Sequence, residues 1–245
     1  MSDQNLKIMK IADKVILVTG ANRGIGHALV EEALKRGAKR VYAGTRTSFS
    51  HPDQRVIPLV LDVTNAEHIQ KAVEEIGSLD ILVNNAGVAL YDDLSDRTMI
   101  DRHLAVNFFG IYNLTRAFLP ALILAQGAIV NNLSVAALAS LPPVASYSIS
   151  KAAAFSLTQS LRAYLAGQGV KVHAILTGPV DTDMNRGLDI PKVSTESAAR
   201  GIFDGVEKGE EDIFPDVMSA SLAESWHGSA MKALERQNAA FVAVN

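Results

Sequence analysis

The feature that most restricts the fold of this chain is the stretch from Val15 to Gly26, VILVTGANRGIG. Its first four residues form a continuous apolar run, which is typical of a parallel strand covered on both faces. Gly20, Gly24 and Gly26 follow, and they allow a sharp exit from the strand and a close approach to the backbone. The helix expected to begin there directs free N–H groups and a partial positive charge at an anion. The stretch therefore predicts a strand, a phosphate-binding turn and a helix.

Strand-like apolar runs alternate with helix-like segments along the rest of the chain. We expect strands near 15–18, 40–44, 56–61, 81–83, 128–132, 170–176 and 212–214, and helices near 25–36, 66–76, 99–125, 147–166, 194–208 and in the tail. This alternation predicts a single α/β domain, residues 1–245, with a doubly wound parallel sheet in the order 3-2-1-4-5-6-7. Pro58 places the third strand at an edge, and the long helix is expected to bend or break near Pro120.

Composition narrows the classes of function. The chain has a net charge of −3 and no basic run, so it lacks the electrostatic footprint of a nucleic-acid-binding protein. It contains no cysteine, and its six histidines are scattered without ligand spacing, so no metal site is expected. The N-terminus lacks the apolar centre of a signal peptide, and the longest apolar run, Ala117 to Ala125, is short. We expect a cytoplasmic protein that does not bind membranes.

Three residues suggest acid–base chemistry. Tyr147 and Lys151 stand four apart on one predicted helix, so their side chains share a face. Ser134 ends the fifth predicted strand, just before the loop into that helix. An ammonium lowers the pKa of a nearby phenol, ordinarily about 10, because it favours the phenolate. Lys151, with the positive nicotinamide of an oxidised cofactor, is expected to lower the pKa of Tyr147. The phenol would then act as general acid and base on an oxygen that Ser134 holds.

The Tyr-x-x-x-Lys pair alone is common in helices. Its combination with Ser134, with the glycine turn and with Asn84-Asn85-Ala86-Gly87 closely resembles the short-chain dehydrogenase/reductase family. The resemblance covers about Ala12 to Thr182, and it includes Asp62-Val63, Asn107 and the segment from Gly178 to Thr182. It implies a Rossmann fold and an enzyme that transfers a hydride between a nicotinamide cofactor and a carbonyl or alcohol.

By this resemblance four residues form the catalytic set: Asn107, Ser134, Tyr147 and Lys151. Asn107 is expected to kink its helix and to hold a water that links Lys151 to solvent. Asn84 is expected to brace the sheet, and Val180 and Thr182 to hold the carboxamide. The residues expected to bind the cofactor are Gly20, Asn22, Arg23, Gly24, Ile25, Gly26, Thr45, Arg46, Asp62, Val63, Asn84, Ala86, Gly87, Tyr147, Lys151, Gly178, Val180 and Thr182.

The end of the second strand indicates which dinucleotide binds. An acidic residue about 20 positions after the glycines normally binds the ribose 2′-hydroxyl of NAD and repels a 2′-phosphate. Here the strand ends Ala43-Gly44-Thr45-Arg46, with no acid. Arg46 and Arg23 offer planar guanidinium groups suited to a phosphate, and Thr45 adds a hydroxyl. We therefore expect NADP, with NADPH preferred over NADH.

Apolar residues flank the expected catalytic set, and none of them is a lysine or arginine that would hold a carboxylate. The expected pocket consists of Leu90, Tyr91, Ala136, Leu138, Leu141, Val144 and Met184. This lining predicts an uncharged, hydrophobic ketone, aldehyde or secondary alcohol as substrate. One departure from the family pattern lies nearby: Thr177 stands where relatives usually have proline, an exchange expected to loosen the loop from Thr177 to Val193.

The two long helices carry more apolar residues than one buried stripe needs. These are Phe108, Phe109, Tyr112, Leu119, Phe155 and Leu161. By the family resemblance such helices pair between subunits, so a homodimer or homotetramer is expected. Trp226 is expected to pack in a core or an interface.

Two other functions remain open. One keeps the same site but uses NAD on a steroid-like or polyol-like alcohol. The other is a non-catalytic, NADP-binding regulatory protein, against which the complete set of catalytic residues argues. Analogy to epimerases and dehydratases is weaker still.

Overall fold

A computed structural model describes residues 9–187 and 189–242. It contains one seven-stranded sheet in the order β3-β2-β1-β4-β5-β6-β7, with every neighbouring pair parallel. The strands are β1 (Val15–Thr19), β2 (Arg40–Thr45), β3 (Val56–Val60), β4 (Ile81–Asn84), β5 (Ala128–Asn132), β6 (Lys171–Ile175) and β7 (Asp212–Ile213). The predicted sheet and its strand order are confirmed.

Helices cover both faces of the sheet. They are α1 (Gly24–Lys35), α2 (Ala66–Ile76), α3 (Arg97–Leu104), α4 (Ile111–Ala125), α5 (Ala145–Leu165), α6 (Thr195–Lys208), α7 (Val217–His227) and α8 (Ala230–Ala239). One core lies between the sheet and α1 with α6, and a second between the sheet and α2, α4 and α5. The carboxyl ends of all seven strands therefore meet at one edge, where ligands of such sheets bind.

The third strand behaves as its sequence predicts. Pro58 lies in β3, which pairs only with β2 and so forms the edge of the sheet. A proline lacks the N–H that a second neighbouring strand would need. The segment from 46 to 55 contains no helix, so the crossover between β2 and β3 is short and irregular.

The break in the long helix lies elsewhere than predicted. A π-helical turn, Ala105–Gly110, separates α3 from α4, whereas Pro120 sits inside the regular helix α4. Pro120 is exposed, so its ring does not disturb the packed face. Asn107 lies at the π-helical turn, as the resemblance implies. By length and composition alone, the stretch Arg97–Ala125 would suffice to cross a membrane, but Leu114, Phe118 and Leu122 pack it against the sheet.

The tail folds back onto α5 and β7 through a buried ionic cluster. Lys232, 1% exposed, contacts Asp212 at 2.7 Å, Glu211 at 2.9 Å and Glu235 at 3.0 Å. Arg162 pairs with both Asp212 and Glu235. Although burial raises the pKa of Asp212, the two cations more than offset this and the pKa lies below its ordinary value. The cluster therefore holds α8 against α5 and β7 through paired, largely buried charges.

Trp226 reinforces the same contact. Its indole N–H donates to Asp212 at 2.9 Å, and its ring packs 5.6 Å from that of Phe155. Trp226 thus packs inside the protomer. Phe155 is 6% exposed because the tail covers it, so this side chain is buried within the protomer.

A buried histidine makes the fold sensitive to acid. Burial lowers the pKa of His173 from its ordinary 6.5 to about 4. Its Nδ1 donates to the carbonyl of Glu210 at 2.6 Å, while Nε2 has no partner among the described residues. The unfolded chain therefore binds one more proton than the native chain between pH 4 and 6.5. Stability from this group is complete above pH 6.5 and is lost as the pH falls to about 4.

We expect His173→Asn to reduce the loss of stability on acidification by about 3 kcal/mol, the equivalent of its pKa shift. Urea unfolding of both proteins at pH 7 and at pH 4 measures this difference. Equal losses for parent and variant would show that other groups cause the acid sensitivity.

Candidate active site

The glycine turn lies where β1 passes into α1. Gly20 and Gly24 have φ angles of 65° and 55°, in the left-handed region that glycine adopts without strain. A Cβ on Gly26 would lie 2.1 Å from the carbonyl oxygen of Gly20, so no larger residue fits there. Arg23 precedes α1, and its side chain makes no capping hydrogen bond. The first turn of α1 therefore keeps N–H groups for an anion, as a bound diphosphate requires.

Tyr147 lies in the first turn of α5 and faces the loop that follows β5. The hydroxyl of Ser134 is hydrogen-bonded to the phenol of Tyr147, and it also accepts the N–H of Ala136 at 3.1 Å. The ring of His103 stands edge-on to the phenol ring, with centroids 6.4 Å apart. The structure thus brings Ser134 and Tyr147 together, and the ring of His103 packs against the ring of Tyr147.

Lys151 lies one turn further along α5. Its Nζ is 5.6 Å from the centroid of the Tyr147 ring, and it donates to the backbone carbonyl of Asn132 at 2.7 Å. The side chain is buried, which lowers the pKa of Lys151 to about 8. A lysine with this pKa exchanges protons readily near neutral pH.

The predicted lowering of the Tyr147 pKa combines Lys151 with the charge of an oxidised nicotinamide, and Lys151 alone does not produce it. Burial raises the pKa of Tyr147 above its ordinary value of 10, and the hydrogen bond with Ser134 opposes this only in part. The physical reason is the position of Lys151: its ammonium lies beside the ring and is bonded to Asn132. The chain by itself therefore keeps a neutral phenol, which suits a proton donor.

Asn107 holds the loop after β4 against α5. Its Oδ1 accepts the N–H of Val88 at 2.9 Å, and its Nδ2 donates to the carbonyl of Val88 and to the hydroxyl of Ser150, each at 2.9 Å. All three bonds use the side-chain amide.

A cleft of about 400 Å³ lies between the glycine turn and the loop after β6. It is lined by Gly24, Asp181, Thr182, Asp183, Arg186, Gly187, Lys192 and Thr195. A Cβ on Gly24 would lie 3.3 Å from Cγ2 of Thr182, so two of the predicted cofactor-binding segments face each other. Arg23 pairs across the cleft with Asp183 at 3.2 Å. The cleft thus has the glycine turn as one wall and the loop as the other.

The expected adenosine end lies at the tips of β2 and β3. Arg46 is exposed there. Asp62 is partly buried, which raises its pKa, but bonds from Thr64 and the charge of Arg46 outweigh this and lower it overall. The hydroxyl of Thr45 is buried and donates to the carbonyl of Thr47 at 2.5 Å, so its proton is already engaged. Arg46 is thus the available cation at this end.

The other predicted cofactor residues lie on the same edge of the sheet. Asn84 differs from them because its side chain is bonded inside the sheet. Asn84 is 2% exposed, and its Nδ2 donates to Asn131 at 2.9 Å, which ties β4 to β5. It braces the sheet, as the resemblance implies. Asn22, Ile25, Val63, Ala86, Gly87, Gly178 and Val180 lie in the segments that follow β1, β3, β4 and β6.

Two loops form the expected substrate entrance. The N–H of Asp92 donates to the carbonyl of Pro143 at 3.2 Å, which places the loop of Leu90 and Tyr91 beside the loop of Leu141 and Val144. Other predicted lining residues are more dispersed. Ala136 is buried just after Ser134, Leu138 is partly buried, and Met184 is exposed on a short 3₁₀ turn of the loop after β6.

The sequence did not reveal two residues that support this site. Asp92 accepts the N–H of Ser146 at 3.1 Å and so fixes the entrance loop to the start of α5. His103 is fully buried; its Nε2 accepts the N–H of Leu90 at 3.0 Å, and its Nδ1 donates to the carbonyl of Met99. Asp92 contacts a residue 54 positions along the chain, and His103 contacts Leu90 across the loop between β4 and α3, so no local pattern marks either residue.

Comparison with known proteins agrees with this geometry. The family model for short chain dehydrogenases matches residues 14–192. An 11-beta-hydroxysteroid dehydrogenase-like protein of Arabidopsis thaliana is 32% identical over 231 residues, which cover 84% of this chain and 74% of that protein. A 3-oxoacyl-[acyl-carrier-protein] reductase of Vibrio cholerae is 34% identical over 194 residues, which cover 74% of this chain and 79% of that protein.

Among solved structures, a short chain dehydrogenase from Burkholderia cenocepacia in complex with NADP superposes with a TM-score of 0.85. It is 37% identical, and the match covers 94% of this chain and 98% of that one. The matched region includes the glycine turn, Ser134, Tyr147 and Lys151. The chain therefore belongs to the short-chain dehydrogenase family of oxidoreductases.

Proposed function

We propose that this protein is an NADP(H)-dependent oxidoreductase that interconverts an uncharged, hydrophobic ketone and the corresponding secondary alcohol. The observation that carries the proposal is the half-buried phenol of Tyr147, bonded to Ser134 and flanked by Lys151, at the edge of the sheet that holds the glycine turn. A phenol held in this way can donate a proton to a carbonyl oxygen and recover it from the alcohol.

The residues around the cleft fit a dinucleotide. Gly26 permits close packing of the turn, the first turn of α1 has N–H groups for the diphosphate, and Thr182 faces them from the opposite wall. When bound, the nicotinamide supplies or accepts the hydride. The chain itself orients the substrate oxygen with Ser134, exchanges the proton through Tyr147, and replenishes it by way of Lys151.

Arg46 supports NADP over NAD because it is the exposed cation at the tip of β2, where no acid stands. The related Burkholderia protein was crystallised with NADP. We expect Arg46→Ala to raise the Kd for NADPH about 10- to 100-fold, the effect of losing a charge-assisted hydrogen bond, and to leave the Kd for NADH unchanged. Titration of nucleotide fluorescence measures both constants.

Arg40, exposed at the opposite end of β2, provides the matched control. Arg40→Ala removes the same charge from the same strand and should leave both constants unchanged. If the parent protein binds NADH as tightly as NADPH, the preference for NADP is refuted and the NAD-dependent alternative is favoured.

The entrance formed by Leu90, Tyr91, Leu141 and Val144 supports a hydrophobic substrate. The similarity to a steroid dehydrogenase-like protein favours bulky alcohols, whereas the similarity to an acyl-carrier-protein reductase favours a β-keto thioester. The test follows NADPH absorbance with alkyl ketones, aryl ketones, steroid ketones and an acyl-carrier thioester. Turnover of the thioester alone would overturn the proposed substrate class.

We further propose one cytoplasmic, catalytic domain that assembles as a homodimer or homotetramer. Phe109, Tyr112 and Leu124 on the α4 side and Tyr164 on α5 remain exposed in the protomer, which supports pairing of these helices between subunits. Light scattering after gel filtration would measure the assembly, and a monomer at micromolar concentration would contradict this part of the proposal.

A further inference from the structure

Thr177, the residue at a position where proline is expected, is the first of a chain of side chains that crosses the sheet beneath the cofactor cleft. Its hydroxyl donates to Oδ1 of Asn132 at 3.0 Å. The Nδ2 of Asn132 donates to Oδ1 of Asn85 at 2.8 Å. The Nδ2 of Asn85 donates in turn to the carbonyl of Thr19 at 2.9 Å, immediately before the glycine turn. The series therefore runs from the end of β6 across β5 and β4 to the end of β1.

The direction of these bonds is fixed along the whole series. Each asparagine accepts with its oxygen and donates with its nitrogen. Reversing the Asn132 amide would set its Oδ1 against Oδ1 of Asn85, and reversing the Asn85 amide would set its Oδ1 against the carbonyl oxygen of Thr19, so each reversal opposes two acceptors. Thr177 is 5% exposed and Asn132 is 8% exposed, which keeps competing water away from the bond between them. A largely buried series of directed hydrogen bonds of this kind favours one arrangement of the segments it joins.

The two ends of the series are the two walls of the cleft. Thr177 is followed by Gly178, whose N–H is held by the carboxylate of Asp216 at 2.7 Å, so the root of the loop after β6 is fixed from two sides. At the other end, the Nδ2 of Asn85 would lie only 2.5 Å from a Cβ on Gly26, so this amide packs directly under the glycine turn.

Asn132 also supports the candidate catalytic residues. Its backbone carbonyl accepts a hydrogen bond from the ammonium of Lys151 at 2.7 Å. Its side chain is bonded to Thr177 on one side of the cleft and to Asn85 on the other. A single residue thus sets the position of Lys151, of the loop root and, through Asn85, of the glycine turn.

We propose that Asn132 and Thr177 are positioning residues that set the width of the dinucleotide cleft. The inference rests on the proposed cofactor site and adds to it a brace that begins at the hydroxyl of Thr177. Loss of the brace should weaken cofactor binding, because the free protein must then order the two walls on binding. For the Thr177 variants, turnover at saturating cofactor should change little, because Tyr147, Ser134 and Lys151 are held by contacts that do not involve Thr177.

The matched substitutions are Thr177→Val, which removes the hydroxyl at equal size, and Thr177→Ser, which keeps it. We expect Thr177→Val to raise the Kd for NADPH about 2- to 10-fold, the effect of one hydrogen bond, and Thr177→Ser to restore most of the affinity. Asn132→Leu removes both side-chain bonds, and we expect an increase of about 10- to 100-fold. Adding Thr177→Val to Asn132→Leu should weaken binding no further, because both remove the same bond.

Thr158→Val is the control for a buried hydroxyl. Thr158 is fully buried and accepts from Nδ2 of Asn131 at 2.9 Å, outside the series. The Thr158→Val substitution should lower the melting temperature as much as Thr177→Val does, but it should leave the Kd for NADPH unchanged.

Fluorescence titration distinguishes the two hypotheses because it needs no turnover. If the parent binds neither NADPH nor NADH, the proposed function fails and the brace fails with it. If the parent binds NADPH but Thr177→Val binds it equally well, or Thr177→Ser is as weak as Thr177→Val, the brace alone is refuted.

Discussion

Tyr147→Phe should lower kcat for ketone reduction by about 10²- to 10⁴-fold, the usual contribution of a general acid. The variant keeps the aromatic ring, so the edge-on contact with His103 and the position of Lys151 beside the ring remain. Only the hydroxyl is lost, and with it the bond to Ser134. Binding of NADPH should therefore persist while the chemical step fails. The measurement is NADPH absorbance at saturating substrate, with cofactor affinity determined separately.

Tyr164→Phe is the matched control, because Tyr164 lies on the same helix and is 63% exposed. It should retain the parent rate. Burial keeps the pKa of Tyr147 above 10, so alcohol oxidation, which needs the phenolate, should rise with pH across the range in which reduction declines. A Tyr147→Phe variant that keeps more than a tenth of the parent rate would refute the acid–base role.

Lys232→Met should destabilise the fold by about 3–5 kcal/mol, the cost of breaking a buried ion pair from one side. Lys232 is 1% exposed and contacts three carboxylates. Without it, Asp212 and Glu235 share the single cation Arg162, and Asp212 is itself fully buried. Urea unfolding followed by circular dichroism measures the change in the free energy of unfolding.

Lys208→Met provides the comparison for this cluster. Lys208 lies 3.9 Å from Glu210 with both side chains exposed, and such pairs contribute at most about 1 kcal/mol. Equal stabilities for the two variants would mean that the tail is held by packing alone.

Much of the fold followed from local patterns. The glycine turn, the edge position of Pro58 and the strand order were each readable because a few adjacent residues restrict the backbone strongly. The local signal for the helix break, Pro120, is misleading because this proline is accommodated on an exposed face, whereas the resemblance implies a kink at Asn107, where the π-helical turn lies.

The candidate site divides in the same way. Ser134, Tyr147 and Lys151 have a recognisable spacing, whereas Asn132 acquires its role only from Thr177, 45 residues further along the chain. Spacing also reveals neither the burial that raises the pKa of Tyr147 in the chain alone nor the bond of Lys151 to the carbonyl of Asn132.

The π-helical turn at Ala105–Gly110 has a consequence for any engineering of the long helix. Successive residues of an α-helix are rotated by 100° about its axis. The wider π-helical turn changes this spacing, so the side chains of α3 are rotated about the axis relative to those of α4. Deleting one residue there would restore regular winding but swing every upstream side chain, including His103, around the axis. Length in this segment should therefore be far less tolerant of change than composition.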